Sequence, residues 1–66
     1  MEVEVNGDQR QFSDGITLVE LLTELGTTQR GVAVAVDGEV IARGSWPDVV
    51  IADGARVEIL VAVQGG

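Results

Sequence analysis

An amphipathic segment with its own start and stop signals limits the fold of this chain more than any other feature. Residues 17–26 read TLVELLTELG, where Thr17 and Glu20 have the spacing of a capping box and predict a helix beginning at Leu18. Gly26 suits the left-handed conformation that ends many helices. The apolar positions follow the i, i+3, i+4, i+7 spacing of one helix face: Leu18, Leu21, Leu22 and Leu25. A helix with one leucine stripe is expected to lie across a sheet.

Alternating segments before and after this helix predict the strands of that sheet. Residues 1–6 alternate, and the turn signal Asn6-Gly7-Asp8 leads to a short second strand around residues 10–12. After the helix, the segments that read as strands are residues 32–36, 39–42 and 55–63, separated by further Asp-Gly turn signals.

Residues 43–50 interrupt this alternation. They contain Trp46-Pro47, and because proline blocks regular pairing we expect a crossing loop or a short turn. The lone tryptophan is expected to close one edge of the core, with its indole N–H in water.

The predicted order is strand, strand, helix, strand, strand, strand. A helix that follows a hairpin lets the last strand lie parallel to the first, with the helix packed on one sheet face. We therefore expect an α+β fold of the ubiquitin-like β-grasp type, a mixed sheet of about five strands with one helix packed across it. Residues 1–66 are expected to form one domain, with residues 64–66 as a flexible C-terminal tail.

The residue types that the chain lacks restrict its chemistry. Without His, Cys, Tyr or Lys it has no usual general base, no thiol nucleophile, no Schiff-base amine and few metal ligands. We therefore expect a protein that is not an enzyme and binds no metal or cofactor of its own.

The charge balance restricts the partners. Eleven acidic and four basic residues give a net charge of −7, which repels nucleic acid and anionic membrane surfaces and favours protein partners with a basic face. Acidity that serves solubility alone is the alternative. The sequence shows no signal peptide and no apolar run of bilayer length, so we expect a cytoplasmic protein.

The chain ends on Gly65-Gly66, directly after a strand pattern. Glycine has no Cβ, so an extended Gly-Gly end fits a channel too narrow for other residues. The terminal carboxylate is ionised at neutral pH, and it becomes reactive only when a partner enzyme converts it to a mixed anhydride with a nucleotide. Gly66 is therefore the candidate for covalent modification, and Gln64 and Gly65 complete the tail. A truncated or frayed end is the alternative.

The last predicted strand suggests a second functional surface. One of its faces carries Val57, Ile59, Val61 and Val63. Glu58 shares the other face with Leu60 and Ala62, which indicates that this second face points outward. Ala33 and Ala35 of a neighbouring strand would extend it into a shallow apolar patch for docking beside the tail. Scattered surface apolar residues are the alternative.

Four stretches, which together cover most of the chain, carry a family resemblance: VNG, TLVELLTELG, GVAVAVDGEVIARGSW and DGARVEILVAVQGG. They resemble the ThiS-type sulfur carriers of thiamine (thiazole) biosynthesis, in the ubiquitin-like ThiS/MoaD family. The Gly-Gly end is common to that group, whereas VAVAVxGEVIxRxxW and DGxRVEILxAVQGG point to its thiamine branch. Asp37 stands where such carriers commonly have asparagine, a change that a tight turn tolerates.

This resemblance implies chemistry carried out by partners. A ThiF-like adenylating enzyme would attach AMP from ATP to the Gly66 carboxylate. Sulfur from a persulfide, supplied by a cysteine desulfurase or a persulfide carrier, would displace AMP and leave a thiocarboxylate, from which thiazole synthase would take the sulfur. The chain would be a co-substrate, and ATP would be used by the activating partner. A molybdopterin-type or other thiocarboxylate carrier and a non-covalent β-grasp interaction module remain the alternatives.

Overall fold

A computed structural model describes residues 1–27 and 31–61 of the chain. In chain order its elements are β1 (Glu2–Val5), β2 (Asp8–Gln11), α1 (Leu18–Leu25), β3 (Val32–Val36), β4 (Glu39–Ile41), a 3₁₀-helix (Arg43–Asp48) and β5 (Arg56–Val61). The predicted helix and strands are all present. β2 begins two residues earlier than expected, because the turn at Asn6 and Gly7 leads directly into it.

The five strands form one mixed sheet in the order β2-β1-β5-β3-β4. β1 and β5 run parallel, with Val5 beside Val57, and the other neighbouring pairs are antiparallel. The first and last strands therefore lie side by side near the centre of the sheet. This is the ubiquitin-like β-grasp fold, and the predicted fold class is confirmed.

Local hydrogen bonds fix both ends of α1. The Glu20 N–H donates to the Thr17 hydroxyl at 3.3 Å, and the Thr17 N–H donates to a Glu20 carboxylate oxygen at 2.9 Å, so the predicted capping box is formed. Gly26 adopts a φ of 71°, and its N–H donates to the last carbonyls of the helix. The helix begins and ends where the sequence predicts. Within the described ranges, no helix has the length and apolarity needed to cross a membrane.

The leucine stripe of α1 and the apolar face of the sheet form one core. Leu18, Leu21 and Leu22 are fully buried, and alternate residues of β1, β3 and β5 are buried with them. Burying one such side chain contributes about 1.5–3 kcal/mol. The other buried residues are Val3, Val5, Phe12, Ile16, Val32, Val34, Trp46, Ile51, Ala55, Val57 and Ile59.

The segment that was expected to be a loop or short turn forms the 3₁₀-helix, and it brings Trp46 into the core. Trp46 is 2% exposed, so it closes one edge of the core as expected. Its indole N–H is not in water as predicted, because it donates to the Ile41 carbonyl at 3.1 Å. The Arg43 guanidinium lies 4.6 Å from the centre of the indole ring.

Val61 departs from the pattern of its strand. Sequence alternation places it on the same face as Val57 and Ile59, which are buried, yet Val61 is 55% exposed. It lines an open hollow together with Leu25, the last residue of α1, and Thr27. Val63, expected on the same face, lies outside the described residues.

The capping box predicts a pH-dependent stability. The Thr17 backbone N–H and, secondarily, the Thr17 hydroxyl hold the pKa of Glu20 below its ordinary value of 4.5. Because the folded-state pKa is lowered, the carboxylate contributes stability above the unfolded pKa that is lost as pH falls through the folded pKa. We predict that Glu20→Gln lowers the free energy of unfolding near neutral pH and that its difference from the unsubstituted chain vanishes in acid.

Urea unfolding at a series of pH values measures this difference. Glu24→Gln, on the exposed surface of the same helix but outside the capping box, controls for the loss of one carboxylate. A Glu20→Gln difference that stays constant from neutral pH into strong acid would contradict the prediction.

Candidate functional site

The sheet face opposite α1 carries the residues predicted for docking. Along β3 and β5, buried residues alternate with more exposed ones, so Ala33, Ala35, Glu58 and Leu60 share this open face. The register places Ala33 directly opposite Leu60, and Ala35 directly opposite Glu58. The structure therefore brings together four of the five predicted residues as two cross-strand pairs. The fifth, Ala62, lies outside the described residues.

One apolar residue of this face was not found from the sequence. Val40 lies on β4 opposite Ala35 and is 75% exposed, compared with 71% for Leu60. β4 has only three residues, too few for alternation to show which side faces the core. We call Leu60, Ala33, Ala35 and Val40 the open apolar patch.

The other end of the open face is acidic. Arg56 lies at the start of β5, and its Nε atom is 3.2 Å from a Glu4 carboxylate oxygen. The Arg56 side chain is 65% exposed, so this ion pair adds little stability. Further carboxylates line the same shallow hollow: Glu2, Asp37, Asp53 and Glu58. Along β5 the face thus changes from acidic near Arg56 to apolar near Leu60.

Gly66, which is predicted to react, and the tail residues Gln64 and Gly65 lie outside the described part of the chain. Gln64, Gly65 and Gly66 follow β5 in the sequence, and Val61 is the last described residue of that strand. The modification of Gly66 stays a prediction, and the structure describes the strand that leads to it.

The described residues have an apolar core and a surface with open hollows. Among residues 1–27 and 31–61 no polar or charged side chain is buried, and no cluster of carboxylates is arranged to hold a metal ion. The hollows on the surface are open to solvent.

Sequence comparison decides the family. The model of the ThiS family matches residues 3–66, nearly the whole chain. The chain belongs to the ThiS family. The resemblance drawn from the four sequence stretches is confirmed.

Relatives of this ThiS-family chain match it over all or nearly all of its length. It is 39% identical over 62 residues to the sulfur carrier protein ThiS of Thermus thermophilus, covering 94% of this chain and 95% of that protein. With the sulfur carrier protein ThiS of Escherichia coli it shares 29% identity over 66 residues, 100% of both chains. The crystal structure of the thiamine biosynthesis protein (ThiS) from Geobacter metallireducens matches with a TM-score of 0.86 at 32% identity, covering 100% of both chains.

A longer relative carries a different name. The thiazole synthase of Paramagnetospirillum magneticum is 38% identical to this chain over 66 residues, which is 100% of this chain and 20% of that protein. The chain thus spans about a fifth of this relative. A segment similar to a ThiS-family chain is therefore part of a protein named thiazole synthase.

Because adjacent residues of β5 lie on opposite faces, replacing each by alanine is expected to lower the free energy of unfolding by different amounts. Ile59 is 9% exposed and packs in the core, so we expect Ile59→Ala to lower the free energy of unfolding by about 2–5 kcal/mol. Leu60 is exposed, so we expect Leu60→Ala to cost less than about 1 kcal/mol. Urea unfolding of both variants measures the difference, and equal costs would show that the assignment of faces is wrong.

Proposed function

We propose that this chain is a sulfur carrier of thiamine biosynthesis and that the carboxylate of Gly66 is its reacting group. The observation that carries the proposal is the full-length match to the ThiS family, which includes the Gly-Gly end. The match to a segment of a thiazole synthase supports thiazole formation as the destination of the sulfur.

In the proposed reaction the chain is a co-substrate. A ThiF-like adenylating enzyme joins the Gly66 carboxylate to the α-phosphate of ATP, and pyrophosphate leaves. A persulfide sulfur, from a cysteine desulfurase or a persulfide carrier, attacks the acyl carbon and displaces AMP. A thiol then cleaves the resulting acyl disulfide, leaving a Gly66 thiocarboxylate and a disulfide. Thiazole synthase accepts the sulfur. ATP and thiols are abundant in the cytoplasm, where we place the reaction.

The open apolar patch is proposed as the docking surface for these partners. The patch spans β3, β4 and β5, and its residue on β5, Leu60, is one residue before the end of the described part of the strand that precedes the reacting end. Five residues separate Val61 from the carboxylate, a span of about 18 Å at most when fully extended. A partner that holds the patch thus keeps the carboxylate within that distance of Val61.

The acidic end of the open face complements this docking. Five carboxylates there surround a single arginine, Arg56, so a partner with basic side chains next to an apolar contact would match both ends of the face. Exposed charges of this kind mainly raise the association rate, and the apolar contact then limits dissociation.

Intact mass tests the carrier function. The purified chain is incubated with ATP, a ThiF-like enzyme that is active on its own carrier, and hydrosulfide. Hydrosulfide attacks the acyl adenylate directly, releasing AMP and a proton. We expect one oxygen to be replaced by sulfur at Gly66, and no reaction in a variant with one extra residue after Gly66. If the unextended chain gains neither AMP nor sulfur, or if the extended variant reacts equally, the proposal is wrong.

Two further assays on the same two forms of the chain, sulfur transfer to a synthase and binding to the partner, separate the alternatives. A thiocarboxylate that supports a molybdopterin synthase and not a thiazole synthase would identify the other carrier branch. Normal partner binding by the extended variant, without any covalent product in either form, would identify a non-covalent interaction module.

Docking predicts a kinetic effect at Leu60. We expect Leu60→Glu to raise the KM of the adenylating enzyme for this chain about tenfold or more, because a charge replaces an apolar contact. Val50→Glu is the matched control, since Val50 is 64% exposed but lies beside the start of α1, where its backbone pairs with Thr17. Steady-state kinetics measure both variants, and equal KM values for the two would count against the open apolar patch.

A further inference from the structure

The side chain of Asn6 holds the backbone of β5 close to its end. Its Oδ1 atom accepts a hydrogen bond from the Ile59 N–H at 2.7 Å, and its Nδ2 atom donates to the Ile59 carbonyl at 3.2 Å. Both bonds are partly buried and join residues that are 53 positions apart in the sequence. A single carboxamide therefore satisfies both backbone groups of one residue.

These two bonds replace a missing step of the parallel β1–β5 ladder. The Glu4 N–H donates to the Ala55 carbonyl, and the Asn6 N–H donates to the Val57 carbonyl, each at 3.0 Å. The next residue of β5 on this side is Ile59, but Asn6 adopts a φ of 49° and turns the chain away into β2. Its carboxamide then takes the place that the β1 backbone has left.

Among the described residues, Asn6 makes the last hydrogen bonds to β5 on the β1 side. On the other side the register with β3 continues for two more residues, pairing Leu60 with Ala33 and Val61 with Val32. The end of β5 is thus held by Asn6 on one side and by β3 on the other.

We infer that Asn6 is a positioning residue for the reaction at the C-terminus. By fixing Ile59, it sets the place and direction in which β5 continues toward the reacting carboxylate. The inference rests on the proposed carrier function, because it concerns the presentation of that carboxylate to the activating partner. It does not require Asn6 to touch the partner or the reacting atoms.

The chain contains a matched contact at the other end of the same strand. Asp37 precedes a glycine in an equivalent turn, with a φ of 51°, and its Oδ1 atom accepts from the Arg56 N–H at 2.9 Å. The Arg56 carbonyl accepts from the backbone N–H of Asp37 at 2.8 Å. Here the backbone supplies the donor, so a carboxylate suffices. At Asn6 the side chain must supply both donor and acceptor, and a carboxamide is required.

The two contacts allow a controlled experiment. Asn6→Gly keeps the positive φ accessible and removes both bonds to Ile59. Asp37→Gly also keeps the positive φ accessible and removes the one side-chain bond to Arg56 at the start of β5, far along the strand from the reacting end. Asn6→Asp is a second variant, which keeps the turn chemistry seen at Asp37 and removes only the Nδ2 donor. If Asn6→Gly does not fold, the kcat of Asn6→Asp for adenylation decides, because this variant keeps the acceptor of the Ile59 N–H.

The first readout is the rate of amide hydrogen exchange at Ile59, which NMR measures in the absence of any partner. We expect exchange at Ile59 to be about tenfold faster in Asn6→Gly than in Asp37→Gly, because only Asn6→Gly removes the oxygen that accepts from the Ile59 N–H. The second readout is the kinetics of adenylation. We expect kcat to fall about tenfold or more in Asn6→Gly with KM nearly unchanged, since a displaced carboxylate reacts slowly even when the patch is bound.

Two outcomes overturn the inference. One is Ile59 exchange that is equal in the two glycine variants. The other is equal kcat in both variants while the unsubstituted chain is adenylated normally. Failure of the proposed function is distinguishable from these two outcomes, because the unsubstituted chain would then not be adenylated at all. The exchange measurement would still test the contact between Asn6 and Ile59.

Discussion

β5 is held on both sides, in parallel by β1 at its start and in antiparallel by β3 from Val57 to Val61, and the rest of the structure depends on this double pairing. The pairing fixes which residues of β5 face α1. Val57 and Ile59 are committed to the core, so Glu58 and Leu60 must lie on the opposite, open face. A slip of one residue would expose the core side chains and bury a carboxylate, which is costly. The core under α1 therefore determines the surface that partners can meet.

This arrangement separates three tasks along one strand. The start of β5 lies in an acidic region, its later part contributes Leu60 to the open apolar patch, and its sequence continues to the proposed reacting carboxylate. None of these tasks needs a buried polar group, and no such group occurs in the described ranges. A small domain can thus keep an entirely apolar core and present its function at the surface and at its end.

The features that the sequence predicted well depend on local chemistry. The capping box of Thr17 and Glu20, the turn at Asp37 and the leucine stripe are all encoded within a few residues, and the structure contains each of them. The features it missed depend on contacts between distant segments. Val40 joins the patch only through pairing with β3, Val61 lines an open hollow beside the end of α1, and Asn6 meets Ile59 across 53 positions. Alternation within one strand contains no information about such neighbours.

The central claim is that the open sheet face meets the partner while α1 only supports it. Amide chemical shifts of the isotope-labelled chain, recorded during titration with a ThiF-like enzyme and without ATP, test this most directly. The account predicts that the largest changes occur at Ala33, Ala35 and Leu60, with little change along α1 (Leu18–Leu25). Changes concentrated on the exposed side of α1, with the open face unaffected, would contradict it.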